Sequence, residues 1–247
     1  LGANLTQIFA VNIGAGDSDR ARITAEPVVA GGVVYTLDAG SRVQATGANG
    51  AVIWAVDLTP RRDGASDASG GGVSVGGGRV FVTTGFGELT ALDAASGREL
   101  WTQDLDAPGT SAPTIRGDLV YVVGRDSVAW ALDVNTGRIA WQLSGTPSIA
   151  NFGGGAGAAV ASDIAVFPFS SGEVMATFPQ GGLQRWSTVI SGDRLGRASA
   201  AINDIAGDPV IVGNRAYVGN FGGQLAALDL YNGDRIWTAR EGTLGPV

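Results

Sequence analysis

The sequence predicts an all-β fold, a β-propeller of four-stranded antiparallel blades. Three observations carry that expectation. The phrase Ala-x-Asp-x-x-x-Gly-x-x-x-Trp recurs at 91–101, 131–141 and 227–237, with blurred copies at 45–54 and 176–186. In all five the glycine stands four residues before the tryptophan, and the tryptophans at 54, 101, 141, 186 and 237 are 40 to 51 residues apart, the period of a propeller blade. Between them lie short β-branched and aromatic runs broken by Gly, Asp and Asn, which is strand-and-hairpin chemistry.

The third repeat shows the reading most clearly. Ala112–Arg116 is a short inner strand, Leu119–Val123 a buried one, Val128–Leu132 the third and Arg138–Leu143 the fourth. Asp133 and Gly137 turn the chain between the last two, the aspartate by accepting backbone N–H groups and the glycine by taking a left-handed conformation. On the same pattern, blades are expected at 25–58, 71–105, 111–143, 156–188 and 207–241. Phe9–Ile13 echoes the fourth strand Trp54–Leu58 with Phe for Trp, so 1–24 reads as an orphan outer strand and its link. Pro246–Val247 echoes the start of a repeat, so 242–247 reads as the beginning of a further blade. The expectation is a partial propeller with about five blades of eight in this chain, since eight would need about 360 residues. No helix of useful length is expected.

Composition limits the chemistry. The 247 residues contain no Cys and no His, which leaves out thiolate nucleophiles, Ser-His-Asp triads and His or Cys zinc sites. The net charge of −7 is the wrong sign for a nucleic-acid footprint. No apolar run approaches the ~20 residues of a membrane helix.

Several motifs have both a functional and a plain reading. The repeat tryptophans Trp54, Trp101, Trp141, Trp186 and Trp237 read as rings docked between blades rather than as a binding platform. Trp130 stands outside the register and reads as a packed or partly exposed ring. Asp93, Asp133 and Asp229 read as turn caps rather than metal ligands. Asp17-Ser-Asp19 has a trace of a calcium loop without the fuller signature. The glycine runs at 70–72, 76–78 and 153–157 lack the Lys-Ser/Thr of a phosphate loop, and no carboxylate pair is singled out by spacing. No catalytic residue, cofactor or metal ligand is assigned. The long links Thr59–Gly72, Ser144–Gly157 and Ser187–Asp208 lie between blades, where binding loops are expected. Phe152, in a glycine-rich link, is either a partner anchor or packing over the disc.

The repeat phrase resembles that of the PQQ-like (quinoprotein-type) β-propeller superfamily over nearly the whole chain. Within it the chain most resembles the BamB family of outer-membrane β-barrel assembly lipoproteins. The resemblance rests on the N-terminal orphan strand, on 70–82 (Gly-Gly-Gly-Val-Ser-Val-Gly-Gly-Gly-Arg-Val-Phe-Val), and on the long link into Asp208–Tyr217. It implies a non-catalytic periplasmic scaffold at the inner face of the outer membrane, held there by a lipid anchor that these residues do not include. It implies binding to POTRA domains of the central barrel-inserting protein and to unfolded outer-membrane protein clients. Partner contacts would come from Ile149, Asn151, Phe152 and Gly153 in one link and from Ile202, Asp204 and Asp208 in the other. Two departures stand out: Gly153 falls where the family has Arg, and Ala206 falls at the second Asp of an Asp-x-Asp pair, with Asp208 two residues beyond. The alternatives are a quinoprotein dehydrogenase using pyrroloquinoline quinone and calcium, or a sensor or sugar-binding ectodomain.

Overall fold

The computed structural model describes residues 6–18, 21–64, 67–109, 111–148, 155–191, 204–205 and 207–240. These form five antiparallel sheets, each a meander of four consecutive strands. The first sheet comprises β1 Val28–Ala30, β2 Val33–Leu37, β3 Arg42–Gly47 and β4 Val52–Asp57; the second, β5 Gly71–Gly76, β6 Arg79–Thr84, β7 Glu88–Asp93 and β8 Glu99–Asp104. The third comprises β9 Thr114–Arg116, β10 Leu119–Val123, β11 Val128–Asp133 and β12 Ile139–Ser144; the fourth, β13 Ala159–Val160, β14 Ala165–Pro168, β15 Glu173–Thr177 and β16 Gln184–Val189. The fifth comprises β17 Val210–Val212, β18 Arg215–Asn220, β19 Gln224–Asp229 and β20 Arg235–Ala239. The all-β propeller class is therefore what the sequence predicted, and among the described residues there is no helix.

The core lies between sheets rather than within one layer. Four buried apolar clusters fill the four successive interfaces. Val43, Val73 and Val80 meet between sheets one and two. Phe81, Leu105 and Leu132 meet between two and three, Tyr121, Phe167 and Phe169 between three and four, and Ile190, Val218 and Leu228 between four and five. Trp130 is 6% exposed inside the second interface, a packed ring. Near the disc centre the inner strands come so close that a Cβ on Gly72 would sit 2.4 Å from the Ala112 backbone.

The repeat phrase has a double function. Its glycines, 50, 97, 137, 182 and 233, all take positive φ between 66° and 79° in the turn between third and fourth strands. Each of the last four is also covered by the tryptophan of the preceding sheet. A Cβ would lie 2.7 Å from the Trp54 ring at Gly97, 2.6 Å from Trp101 at Gly137, 2.6 Å from Trp141 at Gly182 and 2.7 Å from Trp186 at Gly233. Each of these indoles donates its Nε1–H to a carbonyl of the same turn: Trp54 to Ala94 (3.0 Å), Trp101 to Val134 (3.1 Å), Trp141 to Pro179 (2.9 Å) and Trp186 to Leu230 (2.9 Å). A β-bulge one residue before every tryptophan, at Ile53, Leu100, Ala140, Arg185 and Ile236, re-aims the strand at that point.

The two ends of the series differ from the middle. Trp237 follows the same bulge but is 39% exposed, against 8% for Trp54 and 7% for Trp186. Residues 6–13 form no strand, where the sequence suggested one, since no described strand lies beside them to supply a ladder. Phe9 nevertheless covers Gly50, 2.9 Å from where its Cβ would be, in the place a tryptophan takes elsewhere.

The turn aspartates accept local bonds: Asp93 from Ser96 N (2.9 Å) and Oγ (2.6 Å), Asp133 from Thr136 N (2.8 Å) and Oγ1 (2.9 Å), Asp229 from Tyr231 N (3.0 Å). The hydroxyl and amide bonds hold the Asp93 and Asp133 carboxyls below the usual aspartate range. Asp17 accepts Ile23 N at 2.7 Å, an ordinary loop bond, while Asp19 lies outside the described residues.

Trp101→Ala should destabilise the chain by about 3–5 kcal/mol in urea unfolding, as large-to-small core substitutions do. Gly137→Ala should cost at least about 1–2 kcal/mol, because it places a Cβ in left-handed backbone as well as against the Trp101 ring. The double variant should lose less than the sum, because removing the ring frees the space the Cβ needs.

Candidate partner-binding site

In an antiparallel meander the turns between second and third strands share one end of the sheet with the links that leave the fourth strand. The long links at 144–157 and 187–208 therefore rise from the same face, beside the turns of sheets four and five. The fourth strands of sheets one to four depart under the same control. A carbonyl in the second-to-third-strand turn accepts the N–H just past the strand: Ser41 from Leu58 (3.0 Å), Gly87 from Leu105 (2.8 Å), Ser127 from Gly145 (2.7 Å) and Gly172 from Ile190 (2.8 Å).

Glu173 ties the start of the first link to the strand that feeds the second. It sits at the start of β15 and is 9% exposed. Its Oε2 accepts Thr146 N (2.8 Å) just past β12, and its Oε1 accepts Ser187 Oγ (2.8 Å) within β16, the strand from which the second link leaves at Ile190. Burial works against its ionisation, but the bonds from Thr146 and Ser187 outweigh it and hold the carboxyl below the usual glutamate range. Glu88 occupies the same repeat position in sheet two and shifts the opposite way. Burial raises it, and the nearby negative charges of Asp104, Glu99 and Asp63 add to that.

The second link is pinned at both ends between sheets four and five. Ile190 and Ile205 are buried in the same cluster. Asn220, fully buried, donates from Nδ2 to Ile190 O (3.0 Å) and accepts Gln224 N (2.9 Å). Asp204 is 2% exposed, and its carbonyl accepts Phe221 N at 2.8 Å. Asp208 is half-buried and accepts Gly157 N at 2.6 Å, which ties the end of one link to the end of the other. Burial raises the Asp208 carboxyl, and the negative charge of Glu26 adds to it, against the lowering effect of the Gly157 bond.

Of the residues expected at the partner site, the structure thus brings Asp204 and Asp208 to the link face, the first buried beneath it. Ile149, Asn151, Phe152, Gly153 and Ile202 lie outside the described residues. Glu173, Asn220 and Ile190 were not singled out by sequence. The available signal was a lone acid opening the apolar run Glu173–Thr177, directly after Gly172. Among the described residues no three Asp or Glu side chains approach closely enough to hold a metal ion. The arrangement anchors the described ends of the two links, and the Asp208–Gly157 bond brings their far ends together.

The model of the family described as outer membrane protein assembly factor BamB matches residues 39–247. The chain belongs to the BamB family. It is 27% identical to BamB of Yersinia pestis over 245 residues, covering 97% of this chain and 62% of that protein, so it spans less than two thirds of that relative's length. The crystal structure of BamB from Moraxella catarrhalis superposes with a TM-score of 0.76 at 20% identity, over 92% of this chain and 67% of that one, which shows the shared fold. A quinohemoprotein alcohol dehydrogenase, ADH IIB of Pseudomonas putida, is 34% identical over 149 residues, 53% of this chain and 21% of that enzyme. The sequence match to that enzyme covers about half of the chain, while the structure of the quinohemoprotein alcohol dehydrogenase ADHIIG from Pseudomonas putida superposes over 90% of it with a TM-score of 0.69 at 18% identity, a likeness of fold.

Glu173→Ala should loosen the start of the first link and the β15–β16 edge, seen as faster amide exchange at Thr146 and a loss of about 1–3 kcal/mol, the cost of a buried unsatisfied donor. Glu173→Gln keeps an acceptor and should cost less. Because the folded carboxyl is depressed, its contribution is present above the ordinary glutamate value and is lost as pH falls through the lower folded one. The gap between wild type and Glu173→Gln should therefore close below about pH 4.

Proposed function

We propose that this chain is the propeller part of a non-catalytic scaffold of the outer-membrane β-barrel assembly machinery, on the periplasmic side. The observation that carries this reading is the BamB family match over residues 39–247. The anchored link face supports it. A disc whose long links are held at their described ends, by Glu173 on Thr146, Asn220 on Ile190 and Asp208 on Gly157, suits recognition, in which held segments lose less entropy on binding than free ones. The partner in this reading is the POTRA domains of the barrel-inserting protein, gripped by the 144–157 and 187–208 links, with Phe152, Ile202 and the acidic end at Asp208 as contacts. A lipid anchor outside these residues, a total of eight blades and contact with unfolded outer-membrane clients belong to the same reading.

Asp208→Asn tests the site without dismantling it. The amide oxygen still accepts Gly157 N–H, and the charge that burial disfavours is gone, so thermal stability near neutral pH should hold or rise. In titration calorimetry against purified POTRA domains, wild type should bind saturably. Phe152→Ala should weaken binding about tenfold or more, as loss of an aromatic hot spot does, and Asp208→Asn should weaken it without loss of fold. Pyrroloquinoline quinone with calcium, titrated in parallel, should give no heat. Quinone binding with dye-coupled alcohol oxidation would overturn the scaffold reading.

A further inference from the structure

The internal repeat shows what the fold itself asks of each position. In sheet four, three positions depart from it together. Where sheets two, three and five begin the turn with Asp93, Asp133 and Asp229, sheet four has Phe178. Where they continue after the glycine with Arg98, Arg138 and Asp234, it has Leu183. At the bulge, where the other sheets have Ile53, Leu100, Ala140 and Ile236, it has Arg185. A fourth departure comes from the next sheet, where Tyr231 stands at the position of Ala95, Asn135 and Gln180.

These departures converge on one spot. The Arg185 guanidinium lies 4.7 Å from the Phe178 ring centroid and 5.2 Å from that of Tyr231, stacked against both. Its closest carboxylate oxygen, Asp163 Oδ2, is 4.0 Å from Nη1, beyond hydrogen-bond length. Stacking occupies the faces of the guanidinium and leaves its in-plane donors for a carboxylate. Around it, Leu183 is 69% exposed, Phe178 46% and Tyr231 40%.

Turn geometry does not require these residues. Phe178 N still donates to Leu183 O (2.9 Å), and Gly182 N to Phe178 O (3.0 Å), the same frame that Asp93 and Asp133 hold in their turns. The exchange removes a carboxylate cap and a surface charge and exposes a ring and a leucine instead. A stacked arginine between two sheets would account for Phe178 and Tyr231, but not for Leu183. Arg, Tyr and Phe ringed by exposed aliphatic surface is the composition of an interface core.

We propose that Phe178, Leu183, Arg185 and Tyr231 form a second docking surface, on the disc face opposite the long links. Its occupant is a partner protein whose contacting segment presents a carboxylate beside an apolar side chain. The carboxylate pairs with the in-plane donors of Arg185, which Asp163 Oδ2 approaches only to 4.0 Å, and the apolar group packs on Phe178 and Leu183. Such a surface leaves the link face free, so one disc joins two proteins at once.

The test uses a variant that returns sheet four to its own repeat: Phe178→Asp, Leu183→Arg and Arg185→Leu together. A random twelve-residue phage-displayed peptide library is panned on the wild-type chain, and enriched peptides are synthesised and titrated against both forms. The proposal predicts enrichment of Asp or Glu next to Leu, Phe or Ile, and at least tenfold weaker binding to the variant. The variant should melt at or above the wild-type temperature, with POTRA titration unchanged. Peptides that bind both forms equally, or no enrichment, would overturn it. So would a large loss of melting temperature, which would make the cluster a structural staple. Sedimentation showing wild-type dimers that the variant abolishes would assign the surface to a second copy and overturn the partner claim.

Discussion

An indole laid over a glycine of the next sheet is the contact on which the rest of this structure depends. The contact is demanding on both sides. The glycine must have no Cβ, because the ring occupies that volume, and it must take positive φ, because the turn is built that way. The indole must reach across the interface and satisfy its own N–H, which it does on a carbonyl of the same turn. One contact therefore fixes the distance, the tilt and the register between neighbouring sheets. It is made four times by tryptophan and once by Phe9, and it explains how a chain of isolated meanders behaves as one disc.

Function then follows from what the repeated contact leaves over. Because the sheets are held from the turn face, the opposite end is free to carry links of unequal length. Their ends still need anchoring, and polar side chains supply it: Glu173 on Thr146, Asn220 on Ile190, Asp208 on Gly157. Each is a buried or half-buried group whose hydrogen bonds offset the cost of leaving water. The same logic separates Glu173 from Glu88. The two share a repeat position, yet donors surround one carboxylate and other carboxylates surround the other.

Much of the fold could be read from sequence because it rests on local periodicities. Strand alternation, turn aspartates and the Gly-to-Trp spacing are properties of one repeat, and the Trp54–Trp237 series marks the sheets directly. The second role of the glycines could not be read, because the ring covering Gly97 comes from Trp54, 43 positions earlier. Sheet four shows the limit of the repeat as a guide. Opposite the alanine that pairs with the tryptophan, the other sheets place Tyr35, Phe81, Tyr121 and Tyr217, whereas sheet four places Val166, and Phe167 turns instead to the preceding interface, where it meets Trp141 edge-on with centroids 5.7 Å apart. For the site, the sequence expectation named residues in the middle of the links, of which only Asp204 and Asp208 fall among the described residues, and it did not single out the polar groups that hold the link ends. Glu173 looks like any strand-end acid until Thr146 and Ser187 are brought to it from 27 residues before and 14 after.

The most direct test of the docked-ring account is hydrogen exchange at the indole N–H groups of the 247-residue chain, read by nitrogen-15 NMR with assignments from single Trp→Phe variants. Four N–H groups, those of Trp54, Trp101, Trp141 and Trp186, should be strongly protected and should open together with global unfolding. That of Trp237, on an exposed ring, should exchange far faster. Uniform fast exchange at all five repeat tryptophans, or protection of Trp237 equal to the others, would contradict the claim that docking on the next sheet's glycine holds these rings.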